Sequence, residues 1–231
     1  MDPAIADGFI WFVAFLFSTT VHEAMHALVA WKGGDPTAYH GGQVSLSPIP
    51  HIRREPIGML VAPLLTAFTQ GWAMGWASAP YDPVWAERHP KRAALMAAAG
   101  PAGNFMIAFV AFVLIKVGLI AGIFAAPARA NFDRVVISAA AGDANFISTI
   151  LSVFLMLNVL LGTLNLIPLP PLDGGSVFSI FLPEDLGRRV REFQRNGSLS
   201  IIGLVVAWRI FPYLTGPIFV TVLRLLHPGA F

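Results

Sequence analysis

Apolar residues are concentrated in five long stretches, and polar residues gather in the shorter segments between them. The stretches cover residues 9–31, 57–79, 93–126, 145–169 and 199–226. Each reaches or approaches the roughly 20 residues that a helix needs to cross the hydrocarbon core of a bilayer. The pattern therefore predicts an all-α polytopic membrane protein.

Breaks in this pattern predict where regular structure stops. The sequence GPAGN (Gly100–Asn104) interrupts the third stretch, so its spanning helix is expected to start near Pro101, a residue suited to a first turn. The prolines of LNLIPLPPLDGG end the fourth stretch in an extended path. The fifth stretch also contains prolines and is either one kinked span or two pieces. Alternation over Gln43–Leu46 predicts a short β-hairpin or edge strand, either purely structural or available to a bound peptide.

Composition supports a membrane protein and narrows its chemistry. The 231 residues are 56% hydrophobic and 12% charged, against roughly 25% charged in soluble domains. Cysteine is absent, so any metal must be held by His, Asp or Glu. The net charge of +2 is better explained by basic loops than by nucleic-acid binding. We expect one membrane-embedded domain over residues 1–231, with a core at 9–175, a C-terminal membrane segment at 199–226 and no cleaved signal peptide.

One polar cluster lies inside the first apolar stretch. His22, Glu23 and His26 form the sequence HEAMH, which matches the pattern H-E-x-x-H. The i, i+4 spacing puts both imidazoles on one helical face, where they can hold one Zn²⁺ with the glutamate beside its open position. A chance match is the alternative, but ionisable side chains are costly in a membrane span and usually mark function. We therefore interpret the cluster as part of a metal site.

A catalytic zinc site usually has three protein ligands, so one more is needed. Other acidic and histidine residues lie in loop-like stretches and are expected to be solvated, namely His40, His51, Glu55, Asp82, Glu87 and Asp185. Asp173 differs because it follows an apolar segment and a proline-rich break and precedes two glycines, which permit close backbone approach. Alone, the sequence LDGG favours a solvated turn. Its combination with HEAMH favours a metal ligand.

Together these motifs resemble the site-2 protease family of intramembrane zinc metalloproteases, in its minimal branch without PDZ or CBS domains. HEAMH is similar to the first motif of that family and NLIPLPPLDGG to the second, with Asn165 eight positions before Asp173. GPAGN resembles the intermediate motif, and KGGDPTA and HPKRAALMAAAGP resemble the minimal branch. The resemblance covers about residues 15–175, in the order the family shows.

The resemblance implies hydrolysis of peptide bonds in or near transmembrane segments of other membrane proteins. The implied ligands of one Zn²⁺ are His22, His26 and Asp173. Glu23 is the implied catalytic carboxylate, which removes a proton from a water that the metal activates. Asn165 is implied to lie near the substrate. Expected partners are therefore a transmembrane substrate and membrane lipid, without nucleic acid.

A metal shared by the first and fourth stretches constrains the topology. If all five stretches crossed the bilayer, the carboxyl ends of the first and fourth would lie on opposite sides. We therefore expect 57–79 to be re-entrant or broken, since it is interrupted by glycine, proline and glutamine. This leaves about four transmembrane helices.

The basic residues are unevenly divided between the two sides of this arrangement. One side carries Lys32, Arg53, Arg54, Arg88, Lys91, Arg92, Arg188, Arg189, Arg191 and Arg195, and the connecting loop opposite carries Arg129 and Arg134. The positive-inside rule makes the first side, with the catalytic end, the cytoplasmic face of the cell membrane.

Several polar residues near the motifs have two interpretations. Asn158 shares a helical face with Asn165, and an ordinary interhelical hydrogen bond is favoured over contact with substrate. Asn104 either packs against the site or caps a helix that begins there. The hydroxyls of residues 18–20 either line a water path or bond back to helix carbonyls.

Two other functions fit part of the pattern. A divalent-cation transporter would also place His, Glu and Asp within the bilayer, but it would need several polar sites along a pore. The expected spans offer only Lys116, Arg209 and a few amides besides the motif residues. A non-catalytic homologue that binds transmembrane partners is disfavoured because all motif residues are intact. Nitrogen and carboxylate ligands also accept divalent ions other than zinc.

Overall fold

Long apolar helices dominate the fold of residues 3–140, 144–194 and 197–230, the part of the chain that the computed structural model describes. The helices in chain order are α1 (Pro3–Lys32), α2 (Thr37–His40), α3 (Pro48–Arg54), a π-helical turn (Ile57–Val61), α4 (Ala62–Gln70), α5 (Pro83–Arg88), α6 (Pro90–Ile120), α7 (Ala144–Asn165), α8 (Gly174–Ser179), α9 (Glu184–Gln194) and α10 (Gly197–Leu226). Four of them, α1, α6, α7 and α10, are long and apolar enough to cross a membrane. The all-α polytopic class is therefore confirmed, and the fifth apolar stretch is one helix that continues through Pro212 and Pro217.

Helix α7 is the centre of the bundle, because it contributes to both hydrophobic cores. In the first core its residues Leu155 and Met156 pack with α6, α10 and the loop before α7. In the second core Val153 and Leu157 pack with α1 and α4. A helix that is apolar on several faces is expected to be surrounded by other elements in this way.

Hydrogen bonds at the helix ends establish which ends lie together. Beyond the carboxyl end of α1, the carbonyl oxygen of Gly33 accepts from Trp85 Nε1 and Arg92 Nη1, both at 3.1 Å. At the opposite end of α6, Lys116 Nζ donates to the carbonyl oxygens of Leu225 and Leu226 at 3.2 and 3.3 Å. A cation at a helix carboxyl terminus is electrostatically favourable. The amino end of α6 thus lies beside the carboxyl end of α1, and the carboxyl ends of α6 and α10 lie together.

The second apolar stretch doubles back on itself. Helix α4 ends at Gln70, and the next residue, Gly71, has a left-handed φ of 76°. The returning chain pairs with the outgoing helix, since Met74 N donates to Thr66 Oγ1 at 2.8 Å and Trp76 N donates to the Gly58 carbonyl at 3.1 Å. A Cβ on Gly58 would overlap the carbonyl oxygen of Trp76, so this close approach requires glycine. The segment therefore enters and leaves at the same end, as the shared metal site requires.

The predicted start of the third spanning helix near Pro101 is wrong. Helix α6 begins at Pro90 and continues through Pro101 to Ile120. Pro90 supplies the first-turn proline, a position where the missing N–H costs nothing. Pro101 is buried together with Gly100, Gly103 and Asn104, and burial against a neighbouring helix lets an interior proline be tolerated in membrane helices.

The strand predicted at Gln43–Leu46 is also wrong in position. Residues 44–46 form bends and none of the four is in a strand. Gln43 Nε2 donates to the Ser78 carbonyl at 3.1 Å, and Ser47 N donates to Ser45 Oγ at 3.0 Å. Such bonds offer the backbone an alternative to a strand ladder. A two-stranded antiparallel sheet does form, but in the connection between α6 and α7, where β1 (Phe124–Ala125) pairs with β2 (Ile137–Ser138).

A buried carboxylate fixes the loop after α1. Asp35 Oδ1 accepts from the backbone N and Oγ1 of Thr37 at 3.0 and 2.5 Å, and Oδ2 accepts from Asp82 N at 2.8 Å. Burial on its own raises the pKa of Asp35, but these hydrogen bonds outweigh burial and hold that pKa below its usual value. The ionised side chain therefore ties the end of α1 to the start of α5.

We expect Asp35→Asn to lower the free energy of unfolding by about 1–3 kcal/mol at neutral pH, because an amide cannot accept all three bonds. The pKa of Asp35 is lower in the folded state, so its stabilisation is present above the unfolded pKa of about 3.9 and is lost as the pH falls through the folded pKa. Unfolding in detergent at several pH values between neutral and strongly acidic measures this difference. Asp185→Asn is the matched control, since that side chain is 85% exposed. A stability difference that stays constant with pH would contradict the assignment.

Candidate metal centre

His22, His26 and Asp173 meet at one point inside the bundle. His22 Nε2 lies 3.2 Å from Asp173 Oδ2, and His26 Nε2 lies 3.4 Å from Asp173 Oδ1. The two Nε2 atoms are 2.9 Å apart. Both histidines are buried. The structure thus brings together the three residues that the sequence nominated as ligands.

The loop between α7 and α8 delivers Asp173 to this point. Asp173 directly precedes α8, and its carbonyl oxygen accepts from Val177 N at 3.1 Å. A Cβ on Gly174 would overlap the backbone of Leu166, so only glycine lets α8 start against the end of α7. The prolines between these helices prevent α7 from continuing. The aspartate is therefore held beside α1 by local chain geometry.

The outer nitrogens of both imidazoles face oxygen acceptors. His22 Nδ1 lies 2.6 Å from Asn104 Oδ1, and His26 Nδ1 lies 2.7 Å from the Met96 carbonyl oxygen. A carbonyl oxygen can only accept, so each Nδ1 carries the proton in a neutral ring. Each Nε2 then presents a lone pair. Metal-binding histidines are oriented in this way by a hydrogen bond on the other ring nitrogen.

The donor set fits a small divalent cation. Two Nε2 lone pairs and a carboxylate converge over 2.9, 3.2 and 3.4 Å. Without a positive charge between them, these groups would repel one another. Tetrahedral zinc with bonds of 2.0–2.2 Å places its ligand atoms about 3.3–3.6 Å apart. The two histidine–aspartate distances are close to this range, and the two Nε2 atoms are somewhat closer together.

Glu23 lies beside the two histidines and is also buried. A ligand atom of Glu23 and one of each histidine all lie within 4.8 Å of one another. Its Oε2 is buried and finds no hydrogen-bond partner among the described residues. Buried carboxylate oxygens are rarely left unpaired, so this oxygen is available to a reacting group.

Asn104 packs against the site, so the first of its two interpretations is confirmed. It lies in the middle of α6, not at a helix start, and it also bonds to Asn158 of α7 at 2.9 Å. The interhelical role favoured for Asn158 is confirmed by this bond. Thr19 and Thr20 both bond back to carbonyls of α1, at 2.7 Å each, as the more ordinary interpretation predicted.

Asn165 forms a bond within its own helix. It is the last residue of α7, and its Nδ2 donates to the Leu161 carbonyl at 3.0 Å. This bond uses one of the two N–H donors of the amide.

Two contacts at the site escaped sequence reasoning. Gly100 lies directly against the imidazoles, since a Cβ there would overlap Nε2 of both His22 and His26. The Met96 carbonyl oxygen orients His26. Gly100, the first glycine of GPAGN, could have indicated a close contact at the site. A contact made by a backbone carbonyl, as at Met96, cannot be identified from residue types.

Convergent nitrogen and carboxylate donors, beside a glutamate oxygen with no partner among the described residues and within a bundle of membrane-length helices, are the arrangement expected of a membrane metalloprotease. The model of peptidase family M50 matches residues 10–208, so the chain belongs to peptidase family M50, the site-2 protease family. The resemblance found in the sequence is therefore confirmed.

Two curated relatives agree with this family. "Putative zinc metalloprotease YwhC" of Bacillus subtilis is 28% identical over 194 residues, covering 84% of this chain and 78% of the relative. "Putative zinc metalloprotease Rip2" of Mycolicibacterium smegmatis is 27% identical over 195 residues, covering 83% of this chain and 64% of the relative. No solved structure matches the chain. The family and these names support zinc as the metal.

Proposed function

We propose that the protein is an intramembrane zinc endopeptidase that cleaves peptide bonds in or near transmembrane segments of other membrane proteins. One observation carries the proposal. His22 and His26 of α1 lie 3.2 and 3.4 Å from the carboxylate of Asp173, which follows α7, and all three lie among apolar helices. A buried site among membrane-length helices favours substrates that are themselves embedded in lipid, and the ionisable side chains are tolerated there because a cation would gather them.

The chemistry divides between the metal and the chain. Bound zinc supplies Lewis acidity, which polarises a peptide carbonyl and makes water nucleophilic near neutral pH. His22, His26 and Asp173 would hold the ion. Glu23 takes the proton of the attacking water on its unpaired oxygen and then gives that proton to the departing amine. One water is consumed, and a new carboxyl and a new amine are formed.

Asn165 and an apolar cleft are proposed to receive the substrate. The side-chain amide of Asn165 has a second N–H and an oxygen, and both can form hydrogen bonds with the backbone of a substrate. A helical substrate must be unwound before its peptide carbonyl can be attacked. A cleft of about 510 Å³ opens between the end of α7, α8 and α10. It is lined by Thr163, Leu166, Ile167, Pro168, Phe178 and Leu214. Part of this lining belongs to the connection that runs from α7 toward Asp173, so we propose that the cleft accepts apolar side chains of a substrate.

The catalytic end is proposed to face the cytoplasm from the cell membrane. The carboxyl end of α1 and the amino end of α6 lie together. Their basic residues, Lys32, Lys91 and Arg92, belong to the side with the larger number of lysines and arginines. Arg134 lies in the α6–α7 connection, at the opposite end of α6. Arg195, which was counted with the charged side, lies outside the described residues. We also propose that residues 1–231 act as one membrane-embedded unit.

Metal removal tests the proposed function. We expect the purified chain in proteoliposomes to cleave a co-reconstituted transmembrane substrate, to lose cleavage when a chelator removes its metal, and to regain cleavage with added Zn²⁺. Metal content is measured on the same samples. Undiminished cleavage by metal-free protein would refute the proposal. Passage of divalent ions into the liposomes without cleavage would instead support the transporter.

A further inference from the structure

A chain of side-chain hydrogen bonds crosses three helices and ends on His22. Asn158 Nδ2 of α7 donates to Ser18 Oγ of α1 at 2.9 Å, and Asn104 Nδ2 of α6 donates to Asn158 Oδ1 at 2.9 Å. Asn104 Oδ1 then faces His22 Nδ1 at 2.6 Å. Ser18, Asn104 and Asn158 have no exposed surface. Bulk solvent therefore does not reach these partners, and each side-chain amide is oriented by the buried groups around it.

The direction of this chain is fixed by Asn158. Its second N–H donates to the Phe154 carbonyl at 2.9 Å, so its NH₂ group has acceptors on both sides. Its Oδ1 is left facing Asn104, where it can only accept. If the Asn158 amide turned over, its NH₂ would face the NH₂ of Asn104, and two donors would oppose each other in a buried place. The Asn104 amide must therefore keep its oxygen toward His22.

The two histidines differ in what orients them. His26 Nδ1 faces the Met96 carbonyl oxygen, a backbone atom of α6 that cannot exchange places with a donor. His22 Nδ1 faces an amide side chain that can rotate by half a turn and present NH₂ instead. The tautomer of His22 therefore depends on what holds the Asn104 amide. Asn104 Nδ2 donates to Asn158 Oδ1 at 2.9 Å and, over the longer distance of 3.4 Å, to the Ser18 carbonyl oxygen.

We propose that Asn158 is a positioning residue for the metal centre. It acts through Asn104, holding the His22 proton on Nδ1 and the lone pair on Nε2, toward Asp173. It does not touch a ligand. This inference rests on the proposed role of His22 as a zinc ligand.

Replacement of Asn158 by leucine tests the inference. Leucine keeps the size of the side chain but removes the nearer of the two acceptors of Asn104 Nδ2, Asn158 Oδ1 at 2.9 Å, and leaves only the Ser18 carbonyl oxygen at 3.4 Å. The Asn104 amide, held by this longer bond alone, can then turn and give His22 the wrong tautomer. We expect the affinity of the detergent-solubilised full chain for Zn²⁺ to fall by roughly 10- to 100-fold, as for other outer partners of metal ligands. Competition with a chromophoric chelator measures the affinity without relying on proteolysis.

Asn104→Asp separates positioning from packing. A carboxylate at this place offers only acceptors, so it cannot turn a donor toward His22. In the Asn158→Leu background we expect Asn104→Asp to restore zinc affinity to within a few-fold of the original, although the lost interhelical bonds keep thermal stability low. If Asn158 served packing alone, affinity would follow stability and this second change would not restore it.

Two further variants complete the test. Asn158→Asp keeps an acceptor for Asn104 and is expected to retain zinc affinity, which covers the case in which leucine prevents folding. Ser152→Ala, on the same helix, removes a buried bond to the Ser148 carbonyl and should lower stability without lowering affinity. The inference would be overturned if Asn158→Leu left the zinc affinity unchanged. It would also be overturned if Asn104→Asp failed to recover the zinc affinity that Asn158→Leu had lost. If His22→Ala binds Zn²⁺ as tightly as the original chain, the proposed zinc site itself is wrong.

Discussion

Glu23→Gln is expected to lower kcat for cleavage of a transmembrane substrate by about 10²- to 10⁴-fold while zinc stays bound. Glutamine has nearly the same shape as glutamate but cannot take a proton from water. Glu23 Oε2 is buried and has no partner among the described residues, so the amide should replace it without breaking a bond. His22, His26 and Asp173 are untouched, so metal content should not change.

The Glu23 experiment needs activity, bound metal and thermal stability from the same preparation. Glu192→Gln is the matched control, because Glu192 is an exposed carboxylate on α9 and is not one of the residues gathered at the metal centre. A kcat in Glu23→Gln equal to that of the unsubstituted protein would refute the role of Glu23 as the base. Loss of zinc would show that Glu23 is a ligand.

Gly100→Ala is expected to abolish zinc binding and with it cleavage. A Cβ at this position would overlap Nε2 of both His22 and His26, where the ion is proposed to lie. The clash would be with the nitrogen atoms that are proposed to bind the ion. These atoms could avoid it only by leaving the positions in which they would hold the ion. The substitution adds one methyl group to a helix, where alanine is otherwise preferred to glycine by about 1 kcal/mol. Stability should therefore fall much less than metal affinity.

Gly216→Ala is the matched control for Gly100→Ala. Gly216 also lies within a long helix, and a Cβ there would meet no atom within 4 Å. Zinc titration of both variants should show the original affinity for Gly216→Ala and no measurable site for Gly100→Ala. Retention of tight zinc binding by Gly100→Ala would show that the ion does not occupy the space between the two Nε2 atoms.

The features predicted correctly from the sequence were those determined by long or local patterns. Membrane-length apolar stretches identified α1, α6, α7 and α10, because bilayer thickness fixes the length of a spanning helix. HEAMH placed two imidazoles on one face through helix periodicity alone. The doubling back of 57–79 followed from a constraint between distant residues, since Asp173 can meet the histidines only if one stretch returns to the side from which it started.

The features that escaped the sequence depend on how helices sit against one another. GPAGN contains strong helix-breaking residues, yet α6 continues through it because these residues are buried. The bond between Asn104 and Asn158 requires α6 and α7 to be in one register, which periodicity within either helix does not determine. Gln43–Leu46 alternates like a strand, but hydrogen bonds of neighbouring polar side chains decide its conformation.

The long separation of Asp173 from HEAMH along the chain has a consequence during synthesis. A ribosome completes α1, α4, α6 and α7 before it reaches the aspartate. A nascent chain therefore carries two of the three proposed ligands while its earlier helices enter the bilayer. The proposed hydrolytic centre can therefore be completed only after α7 has been made and the connection that follows it has brought Asp173 to the two histidines.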